Sequence, residues 1–166
     1  MPLTDALLPE FDREMGVTRR MLACVPMTNG DWKPHAKSRS MRELASHMAN
    51  IPRLGTAVLE LTELETGPTY KRLPDCTTTE ELLARFDEHT AKTRAALIGK
   101  SDAEFAAPWT MKHEGRDLFT MPKSSAWRNF MISHLVHHRG QLTIYMRLND
   151  IPVPSIYGPS ADDRGF

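Results

Sequence analysis

His134 and His138 stand four residues apart in a segment of apolar helical periodicity. At that spacing two side chains share one face with Cβ atoms about 6 Å apart, so both rings can reach one ion. At about 100° per residue, Trp127, Phe130, Met131, His138, Gln141, Tyr145 and Leu148 fall within about 60° of His134. Around His47, in a second such segment, Leu44, Ile51, Leu54 and Val58 do the same. All three imidazoles are therefore expected to point into a core, where an unpartnered ring costs free energy. A lone inward histidine is most often a hydrogen-bonded core residue. Two of them one turn apart, joined by a third, are harder to satisfy that way.

Three histidines with no fourth protein ligand suit an open site for zinc, nickel, copper or iron, with the vacant position left for water or a substrate donor. Such an ion would acidify bound water or hold a thiol as its thiolate. Ring N–H groups turned away from the ion need acceptors, and Asn50 and Gln141 are placed to supply them. His137 reads as a packing or supporting neighbour, while Trp127, Phe130 and Tyr145 are expected to wall a mostly apolar pocket. His35, His89 and His113 lie in or beside polar sequence and are expected to face solvent. Cys76 reads as an inert loop thiol. The only acid near either histidine stripe is Glu43, which a capping box already claims, so no general base is identifiable.

Four long helices must carry these residues. The first spans about Leu3 to Cys24, with Pro9 expected to delay its start and Pro26 to end it. Ser40 and Glu43 form an S-x-x-E capping box opening the second, which Pro52 should kink without ending. Thr78 and Glu81 repeat the box before a third helix that closes at Gly99. A helical turn at SDAEF follows, then a polar HEGRD segment between Met111 and Leu118–Phe119 that reads as a small hairpin. The last helix runs from Pro122 or Lys123 to about Leu148. Arg128, Arg139, Thr143 and Arg147 fall on its outer side, and Gly140 is a candidate for close helix packing. From Ile151 the proline-rich IPVPSIYGPSADDRGF is too apolar to hang free and should lie extended over the bundle.

The 166 residues suit one domain, 1–166, of the all-α class. Twenty-one basic residues balance twenty-one acidic ones, which speaks against a nucleic-acid footprint. No apolar run approaches the roughly 18 residues of a membrane span, the acidic N-terminus does not resemble a signal peptide, and two cysteines outside any paired motif fit a reducing compartment. A cytoplasmic protein is expected. The ten methionines read as core filler.

DWKPHAKSRSMRELASHMANIP and HLVHHRGQLTIYMRLNDIPVPSIYGPSADD, taken together, resemble the DinB-like family of metal-dependent bundle proteins. The resemblance reaches from the first helix to the tail, and its H-x3-H-R-G-Q-L and V-P-x-x-Y-G-P-S-A-D segments are specific. It implies a four-helix bundle with up-down-down-up connections, often a homodimer. It also implies a divalent metal, zinc or nickel, held at the positions of His47, His134 and His138. Better understood relatives use low-molecular-weight thiols such as bacillithiol and mycothiol, which implies a metal-dependent thiol S-transferase acting on small electrophiles. A metal-dependent hydrolase and a non-catalytic stress-response binding module are the alternatives. Leu8 and Val17, off the main stripe of the first helix, are the residues on which a dimer face is expected.

Overall fold

A computed structural model describes residues 2–165; Met1 and Phe166, the ends of the expected domain, lie outside the described residues. Helix α1 spans Leu3–Ala23 and α2 spans Met41–Glu60. Strand β1, Glu63–Glu65, precedes α3, Thr79–Leu97, and the short α4, Asp102–Ala106. Strands β2, Pro108–His113, and β3, Arg116–Pro122, then lead into a continuous last helix. That helix begins as α5, Lys123–Trp127, passes through a π-helical segment, Arg128–Ser133, and ends as α6, His134–Arg147.

Helix starts follow the capping chemistry. Ser40 and Glu43 make both arms of their box. At α3, Thr78 accepts from the Glu81 N–H, but the Glu81 carboxylate turns one residue back to the Thr77 N–H. Pro9 does not delay α1: it lies inside the helix on the exposed side, where water can serve the Asp5 carbonyl that loses its partner. Pro52 stays within α2 as expected. There the His89 Nδ1–H donates to the Ala49 carbonyl at 3.0 Å, and the Thr93 hydroxyl donates to the Pro52 carbonyl. His89 is consequently buried, not solvent-facing, its ring turned across to a backbone carbonyl of α2. His35 and His113 are exposed, as expected.

Side-chain pairs give the helix directions. Arg19 meets Asp87 and Arg94 meets Asp12, so α1 and α3 run antiparallel. Ala49 with His89 and Thr56 with Thr93 make α2 parallel to α3. Gly55 lies against Trp127 and Met131 while His47 meets His134, so the last helix runs against α2. Glu10 with Arg128 and Glu14 with Arg139 set it parallel to α1. The order is up, down, down, up, with α1 diagonal to α2. The core between them is built from Phe11, Leu44, Phe86, Trp127 and Leu142, with Met21, Met41, Met48, Met131 and Met146 filling it.

The fold is mostly helical but not strictly all-α. Strands β2 and β3 form the expected antiparallel hairpin, and β1 adds a parallel edge through Glu63 opposite Thr110. The hairpin turns at Glu114 and Gly115, both at positive φ, as a two-residue turn of this hand requires. Glu65 braces it by accepting from the N–H groups of Gly67, Glu114 and Gly115, and these bonds hold its carboxyl below the usual range. A three-residue strand with no alternating pattern leaves no periodic trace in the sequence.

The tail docks as expected. Arg147 pairs with Asp162, Ser160 bonds the Val153 carbonyl, and Tyr157 reaches Glu14 on α1. Val17 is buried and Leu8 half-buried against the monomer's own core, so the surface proposed for a dimer is taken up internally. No helix among the described residues is long and apolar enough to cross a membrane.

Candidate metal centre

The π-helical segment decides where the last helix points its side chains. A π turn inserts one residue into the α-helical register, and such insertions are common at functional sites. Before it, Trp127 is buried; after it, with Tyr145 still buried at the margin, the core face is centred on Leu135, Arg139, Leu142 and Met146. Each of these is one position beyond the residue that uniform winding would bury. Leu148, expected inside, is instead exposed, and Arg139, expected outside, is fully buried. His134 and His138 are carried from the centre of the core to its edge, where they are half-buried and face α2.

At that edge His47, His134 and His138 come together. One ligating atom from each lies within 4.8 Å of the others, and the Nε2 atoms of His47 and His134 are 3.2 Å apart. Tetrahedral zinc with Zn–N near 2.0–2.1 Å would set such nitrogens about 3.3 Å apart, close to the separation found between His47 and His134. The other ring nitrogens of the pair on the last helix are occupied. His138 Nδ1–H donates to Gln141 Oε1 at 2.7 Å, and His134 Nδ1–H donates to the Phe130 carbonyl at 3.3 Å. The tautomer this sets makes each Nε2 an acceptor, and that of His134 faces His47 Nε2. Phe130 lies in the π segment, so the same insertion that turns the histidines supplies the carbonyl that orients one of them.

Burial also keeps these rings neutral. Desolvation first, then the neighbouring rings and the Arg39 and Arg72 guanidinium groups, push His47 down to about 3. Desolvation lowers His138 to about 4 and holds His134 below its ordinary value. Neutral imidazole is the form that binds metal.

A cavity of about 190 Å³ opens beside His47 and His134, lined by Arg39, Glu43, Asn50, Arg53, Tyr70, Arg72 and Asp75 among others. Its walls come from α2 and the 70–75 segment, not from the aromatic residues expected there. Trp127 is sealed in the core against Phe11, and Phe130 stacks on Phe119 of β3 at 5.4 Å. Tyr145 packs edge-on to Trp32 and donates its hydroxyl to the Arg39 carbonyl at 3.1 Å, fixing the loop that enters α2. Each of the three is thus engaged by the core, by β3 or by the loop before α2, and none lines the cavity.

Asn50 does line the cavity, but its side-chain oxygen is buried without a partner and does not serve His47. His137 sits edge-on to His138 at 5.0 Å while itself exposed, in a separate groove against α1. Glu43 faces the cavity, yet its carboxylate accepts from the Ser40 N–H and pairs with Lys33, which keeps its pKa low. Cys76 is buried and its thiol pushed up by desolvation, as an inert thiol should be. Gly140 borders open space; the glycine that permits close packing is Gly55, where a Cβ would meet Met131 and Thr93 at 2.9 Å. The sequence reading missed Arg39, Arg53, Arg72 and Tyr70, since only the fold brings the segments carrying them to one mouth.

Comparison with known proteins places this geometry. The DinB family pattern matches residues 1–164. Two solved structures share the fold with a TM-score of 0.70. A DinB-like protein of Bacillus cereus is 21% identical, with 92% of this chain and 97% of that one covered. A DinB-like protein of Bacillus subtilis is 18% identical, over 91% and 97%. The uncharacterized protein YrdA of Bacillus subtilis is 31% identical over 84 residues, 51% of this chain and 38% of its own length. The match therefore spans well under half of that curated relative.

Proposed function

The chain belongs to the DinB family, and from that premise we propose that it is a metal-dependent enzyme transferring the sulfur of a low-molecular-weight thiol to small electrophiles. The observation that carries this reading is the convergence of one ring nitrogen each from His47, His134 and His138, with His47 and His134 at the wall of an open cavity. A divalent ion, zinc or nickel, would be held by these three nitrogens and would stabilise a thiolate at neutral pH. Gln141 and the Phe130 carbonyl orient the rings, and the cavity admits a substrate from the α2 side.

Hydrolysis, the competing chemistry, needs a base to manage protons at an attacking water. Glu43 is poorly suited, because its lone pairs are committed to Ser40 and Lys33, and Asp75, the other carboxylate on the wall, faces Arg39, Arg53 and Arg72 across the cavity. A thiol already ionised needs no such base, which favours sulfur transfer. A purely structural ion would be closed off by a fourth protein ligand, and none joins this group among the described residues. We also propose a cytoplasmic protein, consistent with the free thiols of Cys24 and Cys76, and, on the resemblance alone, a homodimer.

Elemental analysis of the gently purified protein tests the centre. We expect one ion per chain in the native protein and essentially none in a variant carrying His134→Ala and His138→Ala. A thiol-plus-electrophile assay should then lose its turnover in His134→Ala. Full occupancy in the double variant would defeat the reading. An unchanged cobalt spectrum on adding thiols, with no turnover across thiols and esters, would favour the non-catalytic module.

A further inference from the structure

Most arginines on the surface of this protein are paired: Arg19 with Asp87, Arg94 with Asp12, Arg128 with Glu10, Arg147 with Asp162. Arg39, Arg53 and Arg72 have no carboxylate partner among the described residues, and all three line the cavity beside His47 and His134. They arrive from three separate segments, so their meeting is not the by-product of one charged helix face. Arg39 sits at the end of the loop before α2, with its carbonyl held by the Tyr145 hydroxyl. Arg53 projects from α2, its guanidinium over the Tyr70 ring at 5.5 Å. Arg72 belongs to the segment after β1, which Arg85 holds through the Pro74 carbonyl and Ser46 through the Cys76 N–H.

Two carboxylates share the cavity wall. Glu43 is already committed to the Ser40 N–H and Lys33, which leaves Asp75 against three guanidinium groups. The balance at the mouth is positive in a chain whose overall formal charge is zero. Planar guanidinium forks match carboxylates through paired hydrogen bonds, which a lysine cluster would not do as well. The cavity, at about 190 Å³, is smaller than the roughly 300–1,000 Å³ of drug-sized sites, so the molecule it takes is small.

We propose that Arg39, Arg53 and Arg72 form a carboxylate-binding rim, so that the thiol this protein uses is an acid, held by its anionic end with its sulfur directed at the three histidines. The proposal deepens the sulfur-transfer reading and rests on it for the direction of the sulfur. The rim itself is a feature of the arginines and can be tested without metal.

Two titrations separate them. Cobalt-loaded protein is titrated with 3-mercaptopropionate and with its neutral amide, followed by the cobalt spectrum, and metal-free protein is titrated calorimetrically with succinate and with inorganic phosphate. The acid should bind about tenfold more tightly than the amide, with the difference shrinking as salt is raised. Because the arginines are partly solvated, Arg39→Gln, Arg53→Gln and Arg72→Gln should each reduce the preference about threefold, and the triple variant should abolish it. Cobalt stoichiometry and melting temperature should not change in these variants, which separates the rim from folding and from the metal.

Equal binding of acid and amide to the native protein, or a preference that survives in the triple variant, overturns the rim while leaving the metal reading intact. Failure to take up cobalt defeats the sulfur-transfer reading instead, and the succinate arm then decides: arginine-dependent binding supports the rim, and its absence overturns it. Phosphate binding more tightly than succinate would overturn the assignment to carboxylates.

Discussion

Two polar clusters occupy opposite sides of α6, one residue apart in sequence, and they are built on opposite terms. On the α1 side Arg139 and Glu14 are both nearly fully buried and pair at 2.5 Å. Arg139 also donates to the Thr18 hydroxyl at 3.1 Å and to the Glu14 carbonyl at 3.3 Å, and lies over the Tyr157 ring at 4.9 Å. The Tyr157 hydroxyl completes the group by donating to Glu14 at 2.8 Å. Every strong donor and acceptor there is answered from within the chain. On the α2 side His134 and His138 each have Nδ1 answered and turn the ring's other nitrogen toward the histidine group, with His134 at the cavity wall. A buried network that closes on itself specifies structure, whereas one that ends on aligned open lone pairs invites a ligand.

The sharpest break of this contrast is Arg139→Ala. It strands the Glu14 carboxylate and frees the tail at Tyr157, and should lower unfolding stability by about 3–5 kcal/mol in denaturant titration. Replacing the pair together, Glu14→Leu with Arg139→Met, should recover most of that loss, since an apolar pair of similar volume needs no partner. A double replacement as damaging as the single one would show that the network contributes more than mutual neutralisation. His134→Ala should cost little stability in the metal-free protein.

Gln141→Ala works on the other side with a smaller effect. It removes the acceptor that orients His138 and should weaken metal binding about tenfold while moving the melting temperature of the metal-free protein little. Competition against a chelator measures it. Unchanged affinity would mean that the His138 ring is oriented by packing alone.

Acid separates the two clusters by window. The folded pKa values of His47 and His138, about 3 and about 4, lie below the ordinary 6.5, so the unfolded chain binds the protons first. Stability of the metal-free protein should fall as pH drops below about 6.5 and level off near the folded values, by at most about 1.4 kcal/mol per pH unit for each ring. Burial raises the Glu14 carboxyl while Arg139 and Tyr157 lower it, with a net depression. Its contribution is present above the ordinary carboxylate value of 4.5 and lost only below it. Between pH 5 and 6 only the histidine side should respond, and His134→Ala with His138→Ala should reduce the slope there to the share of His47. The same depression means that protons compete weakly for the rings, so metal binding should persist below the pH of about 6.5 expected for ordinary imidazoles.

Much of the scaffold is legible in the chain. The Ser40–Glu43 box, Pro52 held inside α2, the hairpin around Glu114–Gly115 and the docked apolar tail each carry a local signal strong enough to act alone. Strand β1 carries none, being three residues long and recognisable only by the β2 edge it joins. His89 misleads because its partner, the Ala49 carbonyl of α2, lies 40 residues away in sequence.

By itself the sequence determined the helices, their caps and the three histidines, because periodicity, capping and the i, i+4 spacing are local properties of the backbone. Only the tertiary structure decided which way the last helix faces. Close packing of Gly55 against Met131 belongs to that interface, and the π turn at Arg128–Ser133 shifts the register by one residue. That shift buries Arg139 against Glu14 and brings His134 to the wall of a cavity whose mouth holds arginines from three separate segments. A uniform 100° per residue cannot register an inserted residue, since the insertion is stabilised by contacts with other helices and not by the residues that form it.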